Sequence, residues 1–69
     1  MASKRFPMRL KELREKRGLS QAALAAKVGA KGVSREYIAR LETGKHDPPL
    51  STLEKLAKAL KVKVTELLE

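Results

Sequence analysis

The 69 residues leave room for one small domain, and a chain of this length buries only about 60% of its unfolded surface, which excludes a separate catalytic domain. With no cysteine and a single histidine, the chain cannot form a disulfide or a thiolate metal site, so we expect no metal. A chain this short is also not expected to form a deep substrate cleft, so we expect no catalytic residue, no cofactor and no small-molecule substrate. Lysine and arginine number 16 against 8 acidic residues, and the formal net charge of +8 favours a nucleic acid as the partner, while no apolar run is long enough to cross a membrane.

The first predicted element is a helix that follows a basic lead. We expect residues 1–6 to form the lead and residues 7–69 to form the domain. Pro7 suits the first turn of a helix because its missing amide hydrogen has no partner there. The helix should run to about Arg17 and end at Gly18. Its apolar face consists of residues at helical spacing: Phe6, Leu10 and Leu13.

The second predicted helix has a start signal and a stop signal. Ser20 is a typical N-cap, the helix should cover residues 21–28, and Gly29 should end it. The segment that follows, residues 30–32, contains a second glycine and is predicted to be a turn.

The third predicted helix is amphipathic. Ser34 should cap it, and it should stop at Gly44, so that it covers residues 34–43. A helical wheel places Tyr37, Ile38 and Leu41 on one side. The opposite side carries Arg35, Glu36, Ala39 and Arg40. This layout predicts a helix that packs on the core and presents charged side chains to an anionic partner.

Two further helices are predicted after the proline-containing loop of residues 45–49. Ser51 and Glu54 have the spacing of a capping box, which predicts the start of the fourth helix. Its apolar face consists of Leu53, Leu56, Ala57 and Leu60. A last helical turn carries Val64, Leu67 and Leu68. No segment alternates as a strand does, so the predicted fold is all-α with five helices.

Many residues of the chain match a known family in order and spacing. They are Leu19-Ser20-Gln21, Leu24-Ala25, Val28-Gly29, Val33-Ser34, Ile38, Arg40-Leu41-Glu42, Gly44-Lys45, Pro48, Leu53, Leu56 to Leu60, and Glu66-Leu67-Leu68. Through them residues 9–68 resemble the lambda-repressor-like (Xre-type) helix-turn-helix family. The resemblance implies a compact five-helix domain that binds double-stranded DNA as a two-fold dimer and regulates transcription, most often as a repressor. It also implies a cytoplasmic, nucleoid-associated protein of a prokaryote that is not an enzyme.

The resemblance also assigns roles to residues. Arg35, Glu36 and Tyr37 fall at base-reading positions, and the wheel adds Ala39 and Arg40 to the same surface. Arginine can bind guanine through two hydrogen bonds, and a glutamate can accept one from cytosine N4. For Tyr37, base contact and core packing both remain open. The implied phosphate-binding residues are Gln21, Lys31, Ser34, Thr43, Gly44 and Lys45; a mere surface charge is the alternative for Lys45.

The family further implies an ion pair between Arg14 and Glu42 that joins the first and third helices; two separately solvated charges are the alternative.

The chain departs from the family in the turn before the third helix, because relatives commonly use a single residue where residues 30–33 stand here. A longer surface turn costs little entropy, so the fold should survive it. We expect the insertion to affect the tilt of the recognition helix more than the fold.

Dimer contacts and protein partners complete the predictions. Val64, Leu67 and Leu68 are the candidate dimer contacts, because one short turn is not expected to bury all three; the alternative is that they close the core. Two other functions stay open: an antitoxin-type autorepressor that also binds a toxin, and a coactivator-like module that binds proteins. RNA binding is disfavoured because Phe6 and Tyr37 are the only aromatic residues for stacking.

Overall fold

A computed structural model describes residues 4–68, which form five helices joined by short loops. The helices are α1 (Phe6–Lys16), α2 (Gln21–Val28), α3 (Arg35–Glu42), α4 (Leu50–Leu60) and α5 (Val64–Leu68). The predicted all-α, five-helix fold is confirmed. Within residues 4–68, no helix is long and apolar enough to span a bilayer.

The boundary between lead and domain differs from the prediction by one residue. Phe6 begins α1 and is only 1% exposed, so it belongs to the packed domain and not to the predicted lead of residues 1–6. The physical reason is that its ring lies on the same helical face as Leu10 and Leu13 and is buried with them. Residues 1–3 of that lead, and Glu69 at the other end of the predicted domain, lie outside the described residues.

One core holds all five helices together. It consists of apolar residues contributed by every helix: Phe6, Leu10, Leu13, Leu24, Ala25, Ile38, Leu41, Leu53, Leu56, Ala57, Leu60 and Leu67. α3 packs against both α1 and α2, while α4 packs against α2 and α5. The first two helices, α1 and α2, therefore support the buried side of α3 and leave its other side exposed.

The start of α4 corrects the predicted capping box. The helix begins at Leu50, with Pro49 as the N-cap residue and no side-chain cap. The Pro49 carbonyl accepts from the amides of Thr52 and Leu53, both at 3.1 Å. Ser51 is therefore already inside the first turn. The reason lies in Pro49, whose extended backbone (φ −71°, ψ 165°) turns the chain into the helix two residues before Ser51 could do so as the N-cap.

The end of α4 is a left-handed residue that the sequence does not signal. Gly18, Gly29 and Gly44 follow the first three helices, as predicted, and all three have positive φ. After α4 the residue with positive φ is Lys61, with φ 58°. The Val62 amide donates to the Ala57 carbonyl at 2.9 Å, which closes a Schellman-type turn. A lysine in this conformation is strained by about 1–2 kcal/mol, because its Cβ crowds the following carbonyl.

We predict that Lys61→Gly stabilises the domain by about 0.5–1 kcal/mol, since relief of the left-handed strain exceeds the entropy that the more flexible glycine loses on folding. Urea unfolding followed by circular dichroism measures the change. Lys58→Gly, within the same helix, is the control and should destabilise by about 1 kcal/mol. Destabilisation by both substitutions would contradict the strain at Lys61.

Candidate nucleic-acid interface

The recognition helix α3 is fixed at its start by Ser34. The Ser34 backbone is extended, and its Oγ accepts a hydrogen bond from the Tyr37 amide at 3.2 Å. This is the predicted N-cap, and it satisfies one of the amides that a helix start leaves without a partner. A phosphate oxygen only accepts hydrogen bonds, so a phosphate contact by Ser34 would use its hydroxyl hydrogen as the donor.

Burial divides α3 into two sides, as the helical wheel predicted. Ile38 and Leu41 are completely buried. Arg35, Glu36 and Arg40 are exposed. Ala39, which lies between these charged residues on the wheel, is half-buried, so the helix has a low point at its centre. The apolar side therefore fixes the rotation of the helix, and the charged side is available to a partner.

Tyr37 lies at the border between the two sides. It is half-buried and packs against the core, and its ring meets the ring of His46 edge-on, with centroids 5.1 Å apart and planes inclined at 65°. This geometry is favourable for aromatic pairs. The packing interpretation of Tyr37 is confirmed, and base contact stays a prediction. Sequence reasoning overlooked His46, for which its place after Lys45 in the loop beyond α3 was the only available signal.

Arg35 and Glu36 form an adjacent donor and acceptor at the start of α3. Arg35 Nη2 lies 3.4 Å from Glu36 Oε2, and both side chains are 65% exposed. The pKa of Glu36 is lowered, first by a hydrogen bond from its own backbone amide and then by the charge of Arg35. Glu36 is therefore ionised at neutral pH and can only accept. An ion pair this exposed contributes little to stability, so both groups can exchange it for base edges.

A nearly buried ion pair between Arg14 and Glu42 connects α1 with α3. Arg14 Nε donates to Glu42 Oε2 at 2.6 Å, and Arg14 Nη2 donates to Glu42 Oε1 at 3.0 Å. The side chains are only 10% and 4% exposed. The hydrogen bond to Glu42 raises the pKa of Arg14, against the lowering effect of burial. The ion pair implied by the family resemblance is present, and its two carboxylate oxygens engage the guanidinium at two points.

Further hydrogen bonds extend this ion pair to the start of α2. Arg14 Nη1 donates to the Leu19 carbonyl at 2.7 Å, and Gln21 Nε2 donates to Glu42 Oε1 at 3.1 Å. No buried side-chain nitrogen or oxygen among the described residues lacks a hydrogen-bond partner. Gln21 therefore braces the end of α3. Its phosphate contact stays a prediction.

Three of the predicted phosphate contacts lie next to one another at the end of α3: Thr43, Gly44 and Lys45. Thr43 Oγ1 donates to the Arg40 carbonyl at 3.1 Å, and the Lys45 amide donates to the same carbonyl at 3.0 Å. The Thr43 hydroxyl hydrogen is thus directed at its own helix. Gly44 has φ 77°, and a Cβ there would lie 3.6 Å from Pro7 Cγ of α1. Lys45 is exposed just beyond it, where its ammonium group can reach solvent or a phosphate.

The inserted residues between α2 and α3 form a closed turn of their own. The Val33 amide donates to the Ala30 carbonyl at 3.1 Å, and Gly32 adopts φ 88°. Only a glycine adopts this conformation without strain. Lys31 is exposed on the turn. The insertion ends before Ser34, which caps α3 in the ordinary way, and the buried side of α3 remains fully packed.

The predicted dimer contacts at α5 need one correction. Leu67 is completely buried and belongs to the core, so the expectation that it could contact a second subunit is wrong. The physical reason is that α1 and α4 both pack against α5, and together they cover the side of the turn on which Leu67 lies. Val64 and Leu68 are half-buried and keep part of their surface accessible.

Comparisons with known proteins agree with this geometry. Residues 10–67 match the helix-turn-helix family. The chain is 41% identical over 59 residues to the immunity repressor protein of Bacillus phage phi105, an alignment that covers 86% of this chain and 39% of that protein. It is 43% identical over 61 residues to the HTH-type transcriptional regulator DdrOP3 of Deinococcus deserti, covering 88% of this chain and 45% of that protein. The chain thus spans less than half the length of these two relatives.

One solved structure is similar to this chain over most of the length of both. The crystal structure of the restriction-modification controller protein C.AhdI from Aeromonas hydrophila is 40% identical and superposes with a TM-score of 0.84. The match covers 91% of this chain and 87% of that one. At this coverage the likeness is one of the whole fold.

We predict that Glu42→Met lowers the free energy of unfolding by about 3–5 kcal/mol, because it leaves the Arg14 charge buried without its partner. The double substitution Arg14→Met, Glu42→Met should cost much less than the sum of the two single ones. Urea unfolding measures all three variants. The exposed Glu54→Met is the control and should change stability by less than about 0.5 kcal/mol. Additive losses would show that the pair is not coupled.

Proposed function

We propose that this chain, which belongs to the helix-turn-helix family, is a transcriptional regulator that binds duplex DNA in a sequence-specific manner by inserting α3 into the major groove. The observation that carries the proposal is the division of α3: Ile38 and Leu41 are completely buried, while Arg35, Glu36 and Arg40 are exposed. A helix fixed in this way presents the same donors and acceptors at every encounter. Base edges in the major groove can be distinguished by such a pattern.

Affinity and sequence choice would come from different residues. We propose that phosphates are contacted by Lys45, Lys31 and Gln21. Such contacts supply affinity and position the domain without reading sequence. Arg35 and Glu36 are proposed to read base edges at the start of α3, and Arg40 one turn later. The half-buried Ala39 between them supports this arrangement, because a small side chain lets the helix approach the base pairs closely.

The size of the domain supports dimeric binding. Its principal extents are 24 × 21 × 19 Å. Successive major grooves on one face of B-DNA lie about 34 Å apart, so one copy is too short to reach two of them. A two-fold dimer would place one α3 in each. Val64 and Leu68 are the proposed contacts between subunits, and since they are few, pairing should occur mainly on DNA.

Repression is the proposed direction of regulation. A relative of this chain is named an immunity repressor, and the similar solved structure is a restriction-modification controller protein. A small domain on promoter DNA represses most simply by blocking access, which requires no other activity. We propose that the protein does this in the cytoplasm, at the nucleoid.

Selection of binding sites from a random duplex library tests the proposed function. The proposal expects a palindromic consensus whose half-sites are centred about 10 base pairs, or a multiple of that, apart. Enrichment of no consensus, with binding that depends only on duplex length, would overturn sequence-specific regulation.

We predict that Arg35→Ala and Lys45→Ala have different effects on DNA binding. Arg35→Ala should weaken binding to the selected site by about 1–3 kcal/mol and relax the preference at one base pair. Lys45→Ala should weaken binding to all sequences alike and reduce the salt dependence by about one phosphate contact. Titrations of the selected site and of random DNA at several salt concentrations measure both. Equal losses for Arg35→Ala on the two DNAs would contradict base reading.

We also predict that the palindrome binds two copies of the chain more tightly than a single half-site binds one, because the second copy gains subunit contacts. Titration with sedimentation of the complexes gives affinity and stoichiometry together. Val64→Glu should lower affinity for the palindrome while leaving the half-site nearly unchanged. One copy per DNA with equal affinity for both would contradict dimeric recognition.

A further inference from the structure

A groove lies between the end of α2 and the second half of α4, and none of its lining residues is among those proposed to bind DNA. Its volume is about 550 Å³, within the range of ligand-binding clefts. It is lined by Lys27, Val28, Gly29, Ala30, Lys55, Lys58, Ala59 and Lys61. A smaller cleft of about 130 Å³ shares three of these residues and adds Arg17 and Leu19. The two form one surface, here called the lysine groove.

The lysine groove combines an apolar floor with cationic edges. Val28 and Ala59 are half-buried and pack against the core, whereas Lys27, Lys55 and Lys58 are exposed. None of the described residues that line either cleft is acidic. Several exposed lysines in a small area repel each other, and a negatively charged partner would offset this repulsion. The groove is therefore electrostatically complementary to an acidic partner.

The inserted turn forms part of this groove. Ala30, the first inserted residue, lines it next to Gly29. The structure thus connects the insertion with a surface other than the recognition helix. The groove lies at the last turn of α2, whereas Gln21 lies at its first residue, and a helix of eight residues is about 12 Å long. A partner in the groove would leave the start of α2 accessible.

We propose that the lysine groove binds an acidic segment of a partner protein, with an apolar side chain of that segment on the Val28 and Ala59 floor and its carboxylates beside the lysines. The apolar floor favours a protein segment over a second DNA duplex, because a phosphate backbone offers the lysines charge but has no apolar group for the floor. This interaction adds a protein contact to the proposed DNA binding and does not depend on it.

The test uses the full 69-residue chain without DNA. The probe is a fluorescein-labelled synthetic helical peptide with leucine along one face and glutamate on the others, titrated by fluorescence anisotropy at low ionic strength. Lys55→Glu with Lys58→Glu should weaken peptide binding by about tenfold, because each substitution replaces an attraction with a repulsion. Ala59→Gln, which fills the floor without changing charge, should weaken it severalfold.

Matched controls separate the groove from the general positive charge. Lys11→Glu with Lys16→Glu on α1 makes the same change in net charge, and Lys16 and Lys58 both lie in the last turn of their helices. This pair should weaken peptide binding by less than about threefold, because neither lysine lines the groove and charges outside it are screened. Ala26→Gln, on the exposed side of α2, is the control for Ala59→Gln and should have no effect. Thermal unfolding by circular dichroism checks that each variant is folded.

Three outcomes overturn the proposal. The first is no peptide binding by the unaltered chain. The second is an equal loss for the groove pair and the α1 pair, which would mean that the peptide responds only to net charge. The third is that the groove pair weakens binding of random duplex DNA more than the α1 pair does, which would make the groove a phosphate-binding surface. Selective loss of peptide binding with equal DNA binding by both pairs supports it.

Discussion

The hydrogen-bonded ion pair between Arg14 and Glu42 is the interaction on which the position of the recognition helix depends. It joins the end of α3 to α1. Arg14 also donates to the Leu19 carbonyl, and Glu42 also accepts from the Gln21 side-chain amide, so the ion pair is connected to the start of α2 as well. Both charges are almost removed from water, so every lone pair and donor left unpaired would be costly. A network of this kind contributes more to a defined geometry than to net stability, because desolvation offsets much of the attraction.

This geometry is valuable because the domain has few other means of rigidity. The chain has no cysteine, and its core is small, as expected for 69 residues. Apolar contacts at Ile38 and Leu41 prevent rotation of α3, and the bidentate contact at Glu42 fixes its end. The exposed side of α3 then carries charged groups such as Arg35 and Glu36, which form an exposed ion pair with each other. Base edges can replace this ion pair at little cost.

The two ends of α2 separate two kinds of surface. At its first residue, Gln21 braces α3 beside the proposed DNA contacts, and at its end Val28 and Gly29 open into the lysine groove. The inserted turn lies at this second end and is closed by its own hydrogen bond between Val33 and Ala30. An insertion there changes the groove without disturbing the cap of α3.

The sequence by itself determined what depends on near neighbours in the chain. The bounds of α2 follow from Ser20 and Gly29, and the two sides of α3 follow from helical spacing, because caps and periodicity act within one or two turns. Only the tertiary structure decided what depends on distant residues. The burial of Leu67 needs α1 and α4, and the left-handed Lys61 carries no sequence signal. At α4 a local signal failed, because the extended Pro49 is the N-cap residue and the helix begins at Leu50, two residues earlier than a helix capped by Ser51 would begin.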